Sequence, residues 1–251
     1  MHTIVAYSES ITPDGSEVNI AAVEDQHMKT SGDEITIADY NRIIGSLLCG
    51  GSTVSRGKLI TPSLRGLNPY DINPLVAALF PTGLYNYNMH PGSPIPLQMN
   101  ESMEAFVTAA TASASQLTAV VFLTAGDISQ VRGNIAKVRF SFTVTKTAGS
   151  WKYANVTFID DLPVANYDVV GADVVCAAAV AFRFVPVGGG ARPGAPARNA
   201  VDSPIDPVFR NGNLGTWFSF NTVQLPGIEI LASASASSAT FYGTMDLVRK
   251  S

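Results

Sequence analysis

Charge is scarce in this sequence. Only 14% of its 251 residues are Asp, Glu, Lys or Arg, against roughly 25% in ordinary soluble domains. Sixteen basic and 20 acidic residues leave a net charge of −4, the wrong sign for a nucleic-acid coat, so direct nucleic-acid binding is not expected. Cysteine is almost missing as well. Cys49 and Cys176 stand alone and read as buried free thiols rather than as a disulfide framework. Histidine occurs only as His2, His27 and His90, none with a second His or Cys at a ligand spacing, so neither a metal site nor a cofactor is expected. The longest apolar run, residues 174–182, is far shorter than the roughly 20 residues that cross a bilayer. No membrane span is expected, and no basic-then-apolar leader is read at the N-terminus.

Motifs of catalysis are missing too. There is no G-x-S-x-G elbow. Residues 51–58 (GSTVSRGK) have the look of a phosphate loop but place five residues between the glycines instead of four, and Leu59 follows Lys58 where a magnesium-binding hydroxyl belongs. Asp160 and Asp161 are adjacent, so on a strand they face opposite ways and read as a strand-end turn. The chain is not expected to be an enzyme.

What is present is apolar and alternating. Apolar residues make up 46% of a chain long enough to bury a sizeable core without staples. In residues 137–147, Val138, Phe140, Phe142 and Val144 alternate with Arg139, Ser141, Thr143 and Thr145, a half-buried strand. A turn at 148–150 into residues 151–160 suggests a hairpin. Further strands are expected at 3–11, 17–23, 52–60, 102–110, 116–125, 173–185, 216–225, 228–233 and 240–248, the one at 173–185 central because it is apolar on both faces. One helix is expected at residues 37–49, from the stripe Ile37, Tyr40, Ile44, Leu47 and Leu48, with Thr36 as cap and Gly50–Gly51 as stop. Ten or more short strands and one helix point to an all-β sandwich, barrel or jelly roll.

The best boundary lies near residues 126–134. It divides the chain into an N-terminal β domain, 1–130, and a C-terminal β jelly roll, 131–251. Two irregular stretches stand out: residues 62–96, with seven prolines, and residues 187–214, which carry Arg192, Arg198 and Arg210 beside Asp202 and Asp206. These five charged residues are the candidate subunit interface, as a salt-bridged contact between copies.

Four segments carry a resemblance: TPSLRGLNPYDINP (61–74), PLQMNESMEAFVTA (96–109), LPVANYDVVGADVV (162–175) and FRNGNLGTWFSF (209–220). Together they resemble structural proteins of uncultured and marine tailless bacterial viruses. The β-rich layout is similar to the jelly-roll major capsid proteins of icosahedral, membrane-containing phages. That resemblance implies two jelly rolls side by side, homotrimeric pseudo-hexagonal capsomers, an icosahedral shell, and a location in the virion after synthesis in the host cytoplasm. It also implies other capsid proteins as partners, and an internal membrane as a neighbour, with no catalytic residues. The first half yields only five or six expected strands, so a single roll with an elaborated N-terminal region is the alternative architecture.

Low charge with many Ala, Ser, Thr and Val residues suits a subunit that buries its flanks against copies of itself. The alternative function is a carbohydrate- or receptor-binding β-sandwich of a virion or cell surface, with Trp151, Trp217, Tyr85 and Tyr87 as stacking platforms.

Overall fold

The structure, a computed structural model, describes residues 1–65, 69–83 and 88–250. Tyr85 and Tyr87 lie outside the described residues. In chain order the first half holds β1 (His2–Ile11), β2 (Glu17–Ile20), β3 (Lys29–Ser31), β4 (Glu34–Thr36), β5 (Arg42–Cys49), β6 (Val54–Ile60), the one-turn helix α1 (Pro62–Arg65), β7 (Tyr70–Asp71), β8 (Leu75–Val76), β9 (Ile95–Pro96), β10 (Ser102–Ala109) and β11 (Ser115–Thr124). The second half holds β12 (Ala136–Lys146), β13 (Trp151–Asn155), β14 (Thr157–Phe158), β15 (Asn166–Val175), β16 (Ala179–Val185), β17 (Gly194–Pro196), a 3₁₀ turn at Pro207–Phe209, β18 (Phe218–Asn221), β19 (Gly227–Ala232) and β20 (Ala236–Arg249). The all-β class expected from the alternation is what the chain adopts.

Each half builds two sheets of its own. The first has the order β1-β11-β5-β8, with β9 also on β5, packed against β3-β4-β10-β6-β7, with β2 also on β10. The second has β14-β12-β20-β15-β18 packed against β13-β19-β16-β17. In both, the first strand pairs with the last, and the strand before the last is central in the opposite sheet: β10 lies between β4 and β6, and β19 between β13 and β16. This nested order is that of a jelly roll. Among the described residues no ladder joins a strand before residue 125 to one after 135. The first half therefore completes a roll of its own, using short strands too small to announce themselves in the sequence.

Residues 37–49 are not a helix. From Arg42 onward they form β5, which pairs with β11 from Thr118↔Cys49 to Thr124↔Arg42. The reason is that β5 is buried on both faces. Ile43 and Leu48 point into the core between the first roll's sheets, whereas Ile44, Leu47 and Cys49 join the core shared with the second half. A doubly buried strand is apolar almost throughout, and such a run can be laid on a helical stripe as readily as on a strand. The Gly50–Gly51 stop is real, but it ends a strand, with Gly51 at φ 81°.

Two strand expectations also change. The hairpin of residues 137–160 does not form: β13 crosses to the other sheet and pairs with β19, and only β14 returns to β12, at Phe140↔Phe158. The single central strand at 173–185 is two strands in different sheets. They are joined through Ala178, which takes the left-handed conformation (φ 58°) without being glycine. Its amide donates to Asn199 Oδ1 at 2.9 Å and its carbonyl accepts from the Ser233 amide at 3.0 Å, which holds a geometry that alanine disfavours.

The rolls share packing. Ile4, Ala6, Val120 and Phe122, on the face of the first roll turned away from its own partner sheet, belong to one continuous cluster with the second roll's core. Phe122 meets Phe209 with ring centres 5.3 Å apart. Edge strand β1 is closed by the loop before β17, where the Ile4 amide donates to the Arg192 carbonyl at 3.0 Å and the Arg192 amide to Thr3 Oγ1 at 2.9 Å. An edge covered in this way offers no free ladder to a stray strand.

Candidate functional site

The stretch from Arg198 to Arg210 lies across the outer face of the sheet that contains β12, β20 and β15, pinned there by those two arginines, while Gly194–Pro196 of the loop expected at residues 187–214 form β17 on β16 in the opposite sheet. Alternation along β15 and β20 sends Asp173 and Asp246 outward, beneath the loop. Arg210 donates to both Asp246 oxygens, at 2.8 and 2.6 Å, and the Asn211 amide adds a third bond at 2.8 Å. Arg210 is 5% exposed and Asp246 fully buried. Burial pushes the Asp246 carboxyl upward, but the Arg210 and Asn211 hydrogen bonds and the nearby cations outweigh it and hold the group below the ordinary carboxylate range. Arg198 makes the same two-pronged contact with Asp173, at 2.8 and 2.6 Å, and also donates to the Val201 and Ser203 carbonyls.

The five charged residues of the candidate interface thus separate. Arg198 and Arg210 are committed to carboxylates on strands of their own chain, not to Asp202 or Asp206. Asp206 caps the 3₁₀ turn by accepting from the Val208 amide at 2.8 Å, and burial raises its pKa. Asp202 is exposed. Arg192 donates to the Gly189 carbonyl at 3.0 Å and its backbone stitches β1 to the loop.

Beside the pinned loop lies a groove of about 670 Å³. Its floor is the sheet from Arg139 and Phe140 to the stretch from Thr240 to Thr244, and its far wall runs from Arg198 to Val201. Three large apolar side chains at its rim stay in water: Tyr242 at 59%, Ile159 at 48% and Val201 at 82% exposure. Arg139 stands among them, held by Asp160 through bonds of 2.6–3.2 Å yet 67% exposed.

At the joint between the rolls sits a side chain that sequence reasoning passed over. Arg183 is 1% exposed. It bridges Asp25 of the first roll and Glu229 of β19 (2.6 Å), donates to the Ile4 carbonyl at 3.2 Å, and stacks 4.1 Å from the Trp151 ring. The signal was available: one arginine interrupts the apolar stretch AVAFRFV of β16, and a cation at such a position must find buried partners. Its neighbours Phe182 and Phe184 belong to the second roll's core, where Phe184 meets Phe140 and Phe218. Nearby, fully buried His2 shares a 2.9 Å hydrogen bond with the Gly194 carbonyl and meets Trp217 edge-on at 4.9 Å. Burial pushes the His2 pKa down to about 4.

Two of the expected stacking platforms, Trp151 and Trp217, lie among the described residues. Trp217 is fully buried, and Trp151 is half-buried with Arg183 over its ring. Among the described residues a hydroxyl–imidazole chain runs from Ser46 to Tyr70 at 3.4 Å and from Tyr70 to His90 at 3.2 Å, with Ser46 fully buried. Among the described residues no three His, Cys, Asp or Glu side chains converge as a metal site, and no helix is long and apolar enough to cross a membrane. Both cysteines are free and buried, and burial raises the Cys176 thiol to about 11. Comparison with family models, curated proteins and solved structures finds no match.

Proposed function

We propose that this chain is a structural subunit whose work is self-assembly, a capsid-type protein that forms trimeric capsomers and, from them, a closed shell. The observation that carries the reading is the doubled jelly roll, in which two nested sandwiches in one chain are locked by a shared core and by the Arg183 bridge. A chain with only 14% charged residues suits a body that buries its sides against copies of itself. The sequence resemblance to jelly-roll major capsid proteins of tailless bacterial viruses points the same way. The apolar groove beside the pinned loop, rimmed by the exposed Tyr242, Ile159 and Val201, supplies a surface for such a contact.

Light scattering of the purified chain over a range of concentrations tests this. Trimers or larger closed particles are expected. A molecule that stays monomeric at high concentration contradicts the proposal, and specific capture on a glycan array by that monomer would move the chain to the carbohydrate-binding class.

A further inference from the structure

The two rolls carry opposite charge. Residues 1–130 hold twelve carboxylates and five Lys or Arg, net −7, while residues 131–251 hold eight and eleven, net +3. Salt bridges within each roll consume much of this, as in Lys58–Glu17 and Arg56–Asp71 of the first and Arg139–Asp160, Arg198–Asp173 and Arg210–Asp246 of the second. What is left over differs in sign. Among exposed side chains in no salt bridge of the described residues, the first roll has Asp14, Glu24, Glu34 and Asp39 against Lys29, and the second has Arg132, Lys137 and Arg249 against Asp161 and Asp202.

Exposed apolar side chains add a second asymmetry. Apart from the terminal Met1, the one large apolar side chain well exposed on the described part of the first roll is Met99, at 59%. It occupies a turn beside the leftover acids: the Asn100 amide donates to the Ile37 carbonyl at 2.6 Å, two residues from Asp39, and Ser102 Oγ donates to Glu34 at 3.1 Å. Met99 is therefore an apolar knob with an acidic rim. The groove on the second roll is its counterpart, an apolar seat framed by Tyr242, Ile159 and Val201; Lys137, in no salt bridge among the described residues, lies on the same strand face as Arg139, whose charge is taken up by Asp160, and Asp202 follows Val201.

We propose that copies of this chain associate head to tail, the Met99 turn of one seated in the Tyr242 groove of the next. This rests on the self-assembly reading and names its contact. A head-to-tail contact uses two different surfaces and closes into a ring when the rotation allows. Pairing either roll with its own kind would set like charges together, while pairing unlike rolls uses the charge to fix orientation. The flexible thioether suits an irregular apolar seat.

Sedimentation velocity of the full chain at about 0.1 M and about 1 M salt tests it, since the screening length falls from about 10 to about 3 Å between them. Association weaker by about tenfold at high salt is expected for unlike charges in contact. Met99→Glu and Tyr242→Glu, both at exposed positions, should each shift the protein to monomer with an unchanged melting temperature. Association that strengthens with salt or ignores it, or that persists in both variants, overturns this contact and leaves self-assembly standing. A wild-type chain that is monomeric throughout overturns both.

Discussion

Replacing Arg183 by methionine tests how the two rolls are held together. The guanidinium lies between the Asp25 carboxylate, 2% exposed, and the Glu229 carboxylate, 13% exposed. Removing it leaves two like charges facing each other at the joint with no cation between them. A buried charge stripped of its partner costs about 3–5 kcal/mol, and the lost stack on Trp151 adds about 1 kcal/mol. For a chain of this size each kcal/mol lowers the melting temperature by about 2–4 °C, so Arg183→Met should melt about 10 °C or more below the wild type. Urea unfolding followed by tryptophan fluorescence reads the same loss directly, since Trp151 lies against the mutated side chain. The triple variant Asp25→Asn, Arg183→Met, Glu229→Gln removes all three charges and should recover at least half of the loss, because a neutral joint is not penalised for unpaired ions. A loss below about 1 kcal/mol, the range of surface ion pairs, or a triple variant no better than the single one, would refute the reasoning.

Three further outcomes follow from the joint and the pinned loop. His2 is buried with its pKa held near 4, whereas an unfolded histidine titrates near 6.5, so the unfolded chain takes up the proton first and stability falls as pH drops through that window, by about 3 kcal/mol. His2→Gln should flatten that slope in urea midpoints taken between neutral and acid pH, and parallel profiles for the two proteins would contradict it. Asp246 has a folded pKa below its unfolded value near 3.9, so its contribution is present above about pH 4 and is lost as pH falls through the folded value. Asp246→Asn should therefore lose about 3 kcal/mol at neutral pH, with the gap to wild type narrowing in strong acid; a gap independent of pH would count against the Arg210 pairing. Gly194 leaves no room for a methyl group, since a Cβ there would lie 2.0 Å from the Phe182 carbonyl oxygen and 2.7 Å from the Arg183 Cα. Gly194→Ala should cost about 2 kcal/mol in thermal unfolding, and a change within about 0.5 kcal/mol, ordinary for a surface site, would contradict that close approach.

The strands that were legible in the sequence are those with one face in the core and one in water. β12 alternates from Val138 to Val144 and was expected within a residue of both ends; β20 was expected within a residue of its C-terminal end but starts four residues earlier than expected, at Ala236. The doubly buried strands were harder. In β5 the faces toward both cores are apolar, so the two-residue period that marks a strand disappears and a helical stripe fits instead. Changes of sheet left little trace, because the turn at Ala178 has neither Gly nor Pro and is held by Asn199 and Ser233, far away in sequence. The candidate interface was legible only as a cluster of charges in one loop. That Arg198 and Arg210 reach strand carboxylates 25 and 36 residues away, and so anchor the stretch beside the groove, is a matter of tertiary placement.

The most direct measurement on the central proposal is electron microscopy of the purified full chain at high concentration. A self-assembling double jelly roll should give class averages of closed three-subunit rings with six lobes, one per roll, alone or tiled into shells. Single two-lobed particles at every concentration, with no rings, would contradict it.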